Sequence, residues 1–165
     1  MKKLLIFAIV VIGFSASSFA QLTANATVTG KVIGAITVVN AGNMNFGSVI
    51  SNGPGGTVVL TPSGGVTRTG ILNGGDATAA AHFTVTGTAG AAYSFITSPA
   101  TIAVTNGTPA NDMTISAFSD DNTATITGGT VTVNVGATLT VGANQPAGTY
   151  NSYALTPLTV TVAYN

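Results

Sequence analysis

Hydrophobic and polar residues alternate with a period of two along most of the chain. Residues 83–88 and 130–135 alternate in this way, with threonine at most of the polar positions. Successive side chains of a β-strand point to opposite faces of a sheet, so the pattern predicts strands with one buried and one solvated face. No segment after residue 20 shows the i, i+3, i+4 spacing of an amphipathic helix over three turns.

The last alternating run predicts the final strand. Its polar positions include Thr159 and Thr161, which we expect to face water because threonine is both polar and strand-forming. The residues that we expect to point into the core are Leu158, Val160, Val162 and Tyr164.

Clusters of Gly and Asn separate the alternating runs, for example at residues 52–56, 62–65 and 73–76. Both residue types tolerate positive φ and therefore mark tight turns. Turn signals spaced by about 8–15 residues are typical of a β-sandwich of about seven to ten strands. We predict an all-β chain whose residues 21–165 form one antiparallel, immunoglobulin-like β-sandwich. An outer-membrane β-barrel is the alternative, but the aromatic residues after Ala20 are too scattered for its two girdles.

The first twenty residues have the pattern of a secretory signal peptide. Lys2 and Lys3 give a positive start, residues 4–14 are apolar, and Ser18 and Ala20 are small residues at the cleavage positions. This apolar run is shorter than the ~20 residues of a membrane-spanning helix. We expect cleavage after Ala20, passage through the periplasm and a final location at the cell surface or outside the cell. The mature chain is expected to have no transmembrane span.

The chain carries very little charge. Only 5% of its residues are charged, the formal net charge is zero, and there is no cysteine. After residue 20 the cations are Lys31 and Arg68. This composition excludes a basic nucleic-acid-binding surface. Without cysteine the exported chain cannot use disulfides, so its core or an assembly must supply the stability.

The residues offer little for catalysis. His82 is the only histidine, and the sequence has no G-x-S-x-G motif to expose a nucleophilic serine. A catalytic triad needs a histidine between a nucleophile and a carboxylate, and a zinc site needs three or four suitable ligands. We therefore expect no enzyme and no cofactor, and we interpret His82 as an ordinary strand residue.

Two further residue groups leave alternatives open. Asp120 and Asp121 form the acidic cluster of the chain, which we interpret as a solvated turn, with a weak calcium site as the alternative. The EF-hand spacing is not present. Lys31 is the only lysine after residue 20. It is interpreted as a charge that protects an exposed strand edge, with a covalent Lys–Asn crosslink as the alternative.

Several motifs resemble a family of exported bacterial proteins. Asn45-Phe46-Gly47 lies early in the chain, residues 80–87 read AAHFTVTG, Gly148-Thr149-Tyr150 follows later, and residues 160–165 close the chain. In this order they resemble the family known as domain of unknown function 4402, over essentially the whole mature chain. The resemblance implies no activity.

A second, weaker resemblance concerns subunits of chaperone–usher pili, of the archaic and spore-coat-U-like kinds. The N-F-G and G-T-Y motifs and the penultimate Tyr164 are similar to theirs. Those subunits are incomplete immunoglobulin-like sandwiches that a strand from a chaperone, and later from the next subunit, completes. They usually carry a cysteine pair, which this chain lacks.

Residues 24–39 alternate without a strong turn signal, which is long for one strand. Sixteen extended residues span ~50 Å, whereas globular strands usually have ~5–6 residues. Either a bend near Gly30 or Gly34 makes two strands, or residues 21–32 extend from the domain as a donor strand. The donor residues that would enter a neighbour's groove are Ala24, Ala26, Val28, Gly30 and Val32.

The donor-strand interpretation predicts a non-enzymatic structural protein, a fimbrial or pilus-like subunit of a surface fibre. Its partners would be copies of itself or related subunits and a periplasmic chaperone. The alternative is a free-standing secreted or cell-surface binding module, whose ligand the sequence does not disclose.

Overall fold

The computed structural model of the chain describes residues 22–51, 53–152 and 156–165. The chain divides into two units, Met1–Val32 and Ile33–Asn165. In the first unit the described residues, 22–32, form neither helix nor strand, and all of their side chains are exposed. The predicted signal peptide and its cleavage site lie outside the described residues.

The second unit is built from strands joined by turns. Its described residues contain eleven strands, all paired antiparallel, and two single-turn 3₁₀ segments, at Pro109–Asn111 and Thr127–Gly129. The strands are β1 (Thr37–Gly42), β2 (Val49–Ile50), β3 (Gly56–Leu60), β4 (Val66–Thr69), β5 (Leu72–Asn73), β6 (Ala81–Thr86), β7 (Tyr93–Ser98), β8 (Ile102–Val104), β9 (Met113–Asp120), β10 (Thr130–Val141) and β11 (Thr159–Tyr164). The predicted all-β, antiparallel class is confirmed. The count exceeds the predicted seven to ten strands because β2 and β5 have only two residues each.

Strand β10 organises the larger sheet, which has seven strands. Its first half pairs with β6 and its second half with β3, while β9 lies along its other edge. β1 and β4 end the path β1-β6-β10-β3-β4, and β8 pairs with β9. Gly136 stands where β10 changes its partner, and a Cβ there would lie 2.2 Å from the Leu60 carbonyl oxygen. Only glycine allows this close approach of two backbones.

A smaller sheet, formed by β7 and β11, packs against part of the larger one. Val85 and Val133 of the larger sheet and Tyr93 of β7 are fully buried in one cluster, against which Val162 and Tyr164 pack. The hydroxyl of Tyr164 accepts a hydrogen bond of 2.7 Å from the backbone N–H of Thr88. The last strand is thereby attached to the turn after β6.

Tyr93 is an unusual member of this core. Its side chain is fully buried, and its hydroxyl has no hydrogen-bond partner among the described residues. Burial raises the pKa of the Tyr93 hydroxyl, and the negative charges of Asp120 and Asp121 raise it further. The phenol therefore stays neutral at any physiological pH.

The start of β11 and Leu158, which directly precedes it, pack against a different part of the larger sheet. Leu158 and Val160 contact a second cluster that contains Phe83 and Val135, and Thr159 is exposed. The T-shaped pair of Phe83 and Phe95, with ring centroids 6.0 Å apart, joins the two sheets here. Val160 is thus half-buried between the layers.

A third cluster lies under β3, β8, β9 and the second half of β10. Its buried residues are Phe46, Val58, Leu60, Ile71, Ile102, Val104, Met113, Ile115, Ala137, Leu139 and Val141. The partly buried residues that pack against it come mainly from segments outside the smaller sheet, such as Met44, Val49 and Tyr150. The two-stranded layer therefore does not cover this half of the larger sheet.

We expect Val160→Asp to lower the free energy of unfolding by about 2 kcal/mol or more, because an unpaired carboxylate would enter the space between the sheets. Thr159→Asp, at an exposed position, should change it by no more than about 0.5 kcal/mol. Urea unfolding followed by far-ultraviolet circular dichroism measures both values. Equal losses in the two variants would contradict a one-sided β11.

Candidate functional site

An open, mostly apolar cleft of about 1310 Å³ lies over the third cluster of the second unit. Its floor is the inward face of the larger sheet, including Phe83, Ile115 and Leu139. Small-molecule pockets usually measure about 300–1,000 Å³, so this cleft is larger than one small ligand needs.

One wall of the cleft contains the N-F-G motif. Asn45 and Ala79 exchange two backbone hydrogen bonds of 2.8 Å, and the Asn45 side chain accepts a third, of 2.9 Å, from the N–H of Gly47. These bonds hold Phe46, which is 8% exposed, in the core. Gly47 has φ +68°, and a Cβ there would lie 2.7 Å from the Asp76 carbonyl oxygen. Each of the three residues of the motif therefore has a structural role in this wall.

A second wall, joined to the first by hydrogen bonds from Ser51 to Gly142 and Gln145, contains the G-T-Y motif and the turn before it. The Tyr150 hydroxyl donates a 2.9 Å hydrogen bond to the carbonyl of Pro146. Gln145 receives a 3.2 Å hydrogen bond from Gly142 and donates one from its amide group to the carbonyl of Asn111. The N-F-G and G-T-Y motifs, on which the family resemblance rests, thus form two sides of one cleft. The sequence alone does not predict this arrangement.

The cleft is almost uncharged. Of the described residues that line it, Asp76 is the only charged one, and it is exposed to solvent. The N–H of Asp76 donates a 3.3 Å hydrogen bond to the hydroxyl of Ser48. The remainder of the lining is apolar or neutral and polar.

β11, which begins directly after Leu158 of the cleft lining, has a free edge. Among the described residues it pairs with β7 alone. Asn165 donates its N–H to the carbonyl of Ala92, so the alternation of an antiparallel ladder turns the N–H groups of Val160, Val162 and Tyr164 away from β7. A two-stranded sheet is marginal by itself and gains stability from a third strand. The free edge of β11 is therefore a site where a further strand can pair.

The candidate donor residues lie in the first unit. Leu22, Val28 and Val32 are 97%, 93% and 98% exposed. Of residues 24–39, only those from Thr37 onwards lie in a strand, β1. The structure thus leaves the segment with Ala24, Ala26, Val28, Gly30 and Val32 without a partner strand among the described residues.

His82 and the acidic pair meet on the outer face of the larger sheet. His82 and Asn134 face each other on β6 and β10, and the His82 Nδ1 lies within hydrogen-bond distance of the Asn134 side-chain oxygen. Asn134 donates its backbone and side-chain N–H groups to the two carboxylate oxygens of Asp121, at 2.7 and 2.6 Å. Asp120 accepts a hydrogen bond from the N–H of Asn122. These contacts give Asp121 a structural role in joining the end of β9 to β10.

The cleft and the strands around it define an all-β domain with an open apolar side. The chain belongs to the family described as domain of unknown function DUF4402, whose model matches residues 36–164. The family resemblance drawn from the sequence motifs is thereby confirmed, and the matched region contains both walls of the cleft. Searches of curated proteins and of solved structures gave no match. In the part of the chain that the structure describes, no helix is long and apolar enough to cross a membrane.

Gly47 in the cleft wall and Gly64 in the turn between β3 and β4 give a matched pair of glycine substitutions. Gly64 has φ +84° and open space around a Cβ, so Gly64→Ala should cost only the left-handed strain of about 1–2 kcal/mol. Gly47→Ala adds a collision with the Asp76 carbonyl and the Thr78 side chain, and should cost at least about 1 kcal/mol more. Denaturant midpoints of the two variants test this difference. If both lose the same stability, the wall is looser than the packing at Gly47 implies.

Proposed function

We propose that the protein is a non-enzymatic structural subunit of an exported surface fibre, of the fimbrial or pilus-like kind. Copies join when residues 24–32 of one copy enter the cleft of the next and extend its smaller sheet. The observation that carries this proposal is an open apolar cleft, in a chain whose N-terminal segment has alternating apolar side chains and no partner strand.

The gain in free energy on assembly comes first from apolar burial. Val28 and Val32 are more than nine-tenths exposed, and burying a valine side chain contributes about 1.5–3 kcal/mol. Ala24, Ala26 and Gly30 are small, so the strand can lie close to the floor of the cleft. The floor residues Phe83, Ile115 and Leu139 are already no more than 9% exposed, so most of the apolar area buried on assembly comes from the donor segment.

The second contribution comes from the backbone. A strand added at the free edge of β11 would pair with the outward N–H groups of Val160, Val162 and Tyr164. In such strand addition the main-chain hydrogen bonds supply affinity and the alternate side chains supply register. The smaller sheet would then have three strands.

Contacts of this kind build open filaments. The donor segment and the cleft are different surfaces, so each added copy presents a new free segment and the chain of copies does not close. The nearly uncharged surface adds little repulsion between neighbours. Related subunits or a periplasmic chaperone would use the same edge and cleft before copies assemble.

Single substitutions in the exposed segment test the proposal without disturbing the folded unit. Val28→Asp should abolish polymers of the purified exported protein, because it places a charge on a donor residue that enters the apolar cleft. Thr29→Asp, on the outward side of the same strand, should leave polymers largely intact. Size-exclusion chromatography with light scattering measures the outcome.

Deletion of residues 21–29 gives the complementary experiment. The shortened chain should be monomeric, and a synthetic peptide of residues 21–32 should bind to it. Polymers that survive the deletion, or a full-length protein that stays monomeric at high concentration, would refute the fibre subunit. The cleft would then belong to a free-standing binding module.

A further inference from the structure

The donor segment and the cleft each carry one charge, and the two charges have opposite sign. Lys31 is the only charged residue among residues 22–32. Asp76 is the only charged residue among the described residues that line the cleft. Asp76 forms no ion pair in the part of the chain that the structure describes. In a domain with so few charges, this leaves a single exposed acidic residue in the lining of an apolar site.

The alternation of the segment places Lys31 on the side that faces away from the floor of the cleft. When Val28, Gly30 and Val32 face the floor of the cleft, Asn25, Thr27, Thr29 and Lys31 face outward. Lys31 then stays accessible to solvent, as does Asp76, an exposed residue of the cleft lining. The flexible four-carbon stem of lysine lets its ammonium group reach an acidic neighbour from such a position.

We propose that Lys31 of one copy pairs with Asp76 of the next copy, and that this contact sets the register in which residues 24–32 occupy the cleft. The inference rests on the proposed function and names the partner at its site as a second copy of this chain. Apolar burial and main-chain bonds hold the strand at many registers, since its side chains repeat every two residues. A single charge pair distinguishes one register from those shifted by two residues. Its contribution is to specificity and association rate more than to affinity.

A charge exchange between copies tests the pair. Lys31→Glu and Asp76→Lys each replace attraction by repulsion, so each variant alone should polymerise about five- to tenfold more weakly than the unmodified protein at low salt. Mixing the two variants should restore polymers, because every donor then meets a cleft of opposite charge. The double variant, with both changes in one chain, should also polymerise normally.

Two controls define the interaction further. A chain that carries both Lys31→Glu and Asp120→Lys, with the new lysine at a residue that does not line the cleft, should polymerise as weakly as Lys31→Glu alone. At about 1 M salt the Debye length falls to about 3 Å, so all of these variants should behave alike. Assembly of each is followed by light scattering.

The outcomes separate this inference from the proposed function. If the unmodified protein forms no polymers, the fibre subunit and the charge pair both fail. If it polymerises and the single variants do so equally well at low salt, the pair is wrong and the fibre subunit stands. Rescue in the double variant without rescue in the mixture would mean that the two charges meet inside each copy, which also overturns the inference.

Discussion

The apolar face of the larger sheet is wider than the sheet that packs against it. A sheet with one hydrophobic face must bury it against another layer. Here seven strands form one layer and two strands, β7 and β11, form the other. Val85 and Val133 are fully buried under this small layer, whereas Ile115 and Leu139 are buried at the floor of the cleft, away from it. The open cleft, the free edge and the proposed assembly all follow from this mismatch.

Specific hydrogen bonds fix the walls of the cleft, and at Ser51 they join the two walls, because its hydroxyl donates to the Gly142 carbonyl and accepts from the Gln145 N–H. Asn45 bonds to Ala79 on one side, and the turn with Gln145 is attached to Asn111 on the other. Gly47 lets its wall pass within contact distance of the Asp76 carbonyl. A site fixed in this way loses less conformational entropy when a strand enters it than a collapsed one would.

Much of this architecture is predictable from the sequence, because strand periodicity and turn chemistry are local. The alternation of residues 130–135 and 158–164 predicts strands that the structure contains, and the Gly- and Asn-rich clusters predict turns. The cleft is not predictable in this way, since it depends on which strands share a sheet. Phe46 and Tyr150 are about a hundred residues apart, and only the topology brings both to the third cluster. The N-F-G and G-T-Y motifs identify the family from the sequence. Only the fold shows that they lie on two walls of one cleft.

The roles of some single residues also depend on which strands pair, so they are not predictable from the sequence. Asn134 is an ordinary polar position in an alternating run, yet it joins His82 to Asp121 because β6, β9 and β10 are neighbours. Asp76 stands in a turn-rich segment that predicts only a solvated loop. Its place in the lining of the cleft comes from the bonds between the 45–48 segment and the 74–79 segment.

Amide hydrogen exchange on the assembled protein tests the central claim most directly. Strand addition predicts that the amides of residues 24–32 that bond across the new ladder, and those of Val160, Val162 and Tyr164, exchange slowly in the assembly. The same amides should exchange much faster in dissociated subunits, where the segment is free and β11 has one open edge. Equal exchange of both groups in the assembly and in the dissociated subunit would contradict a strand in the cleft.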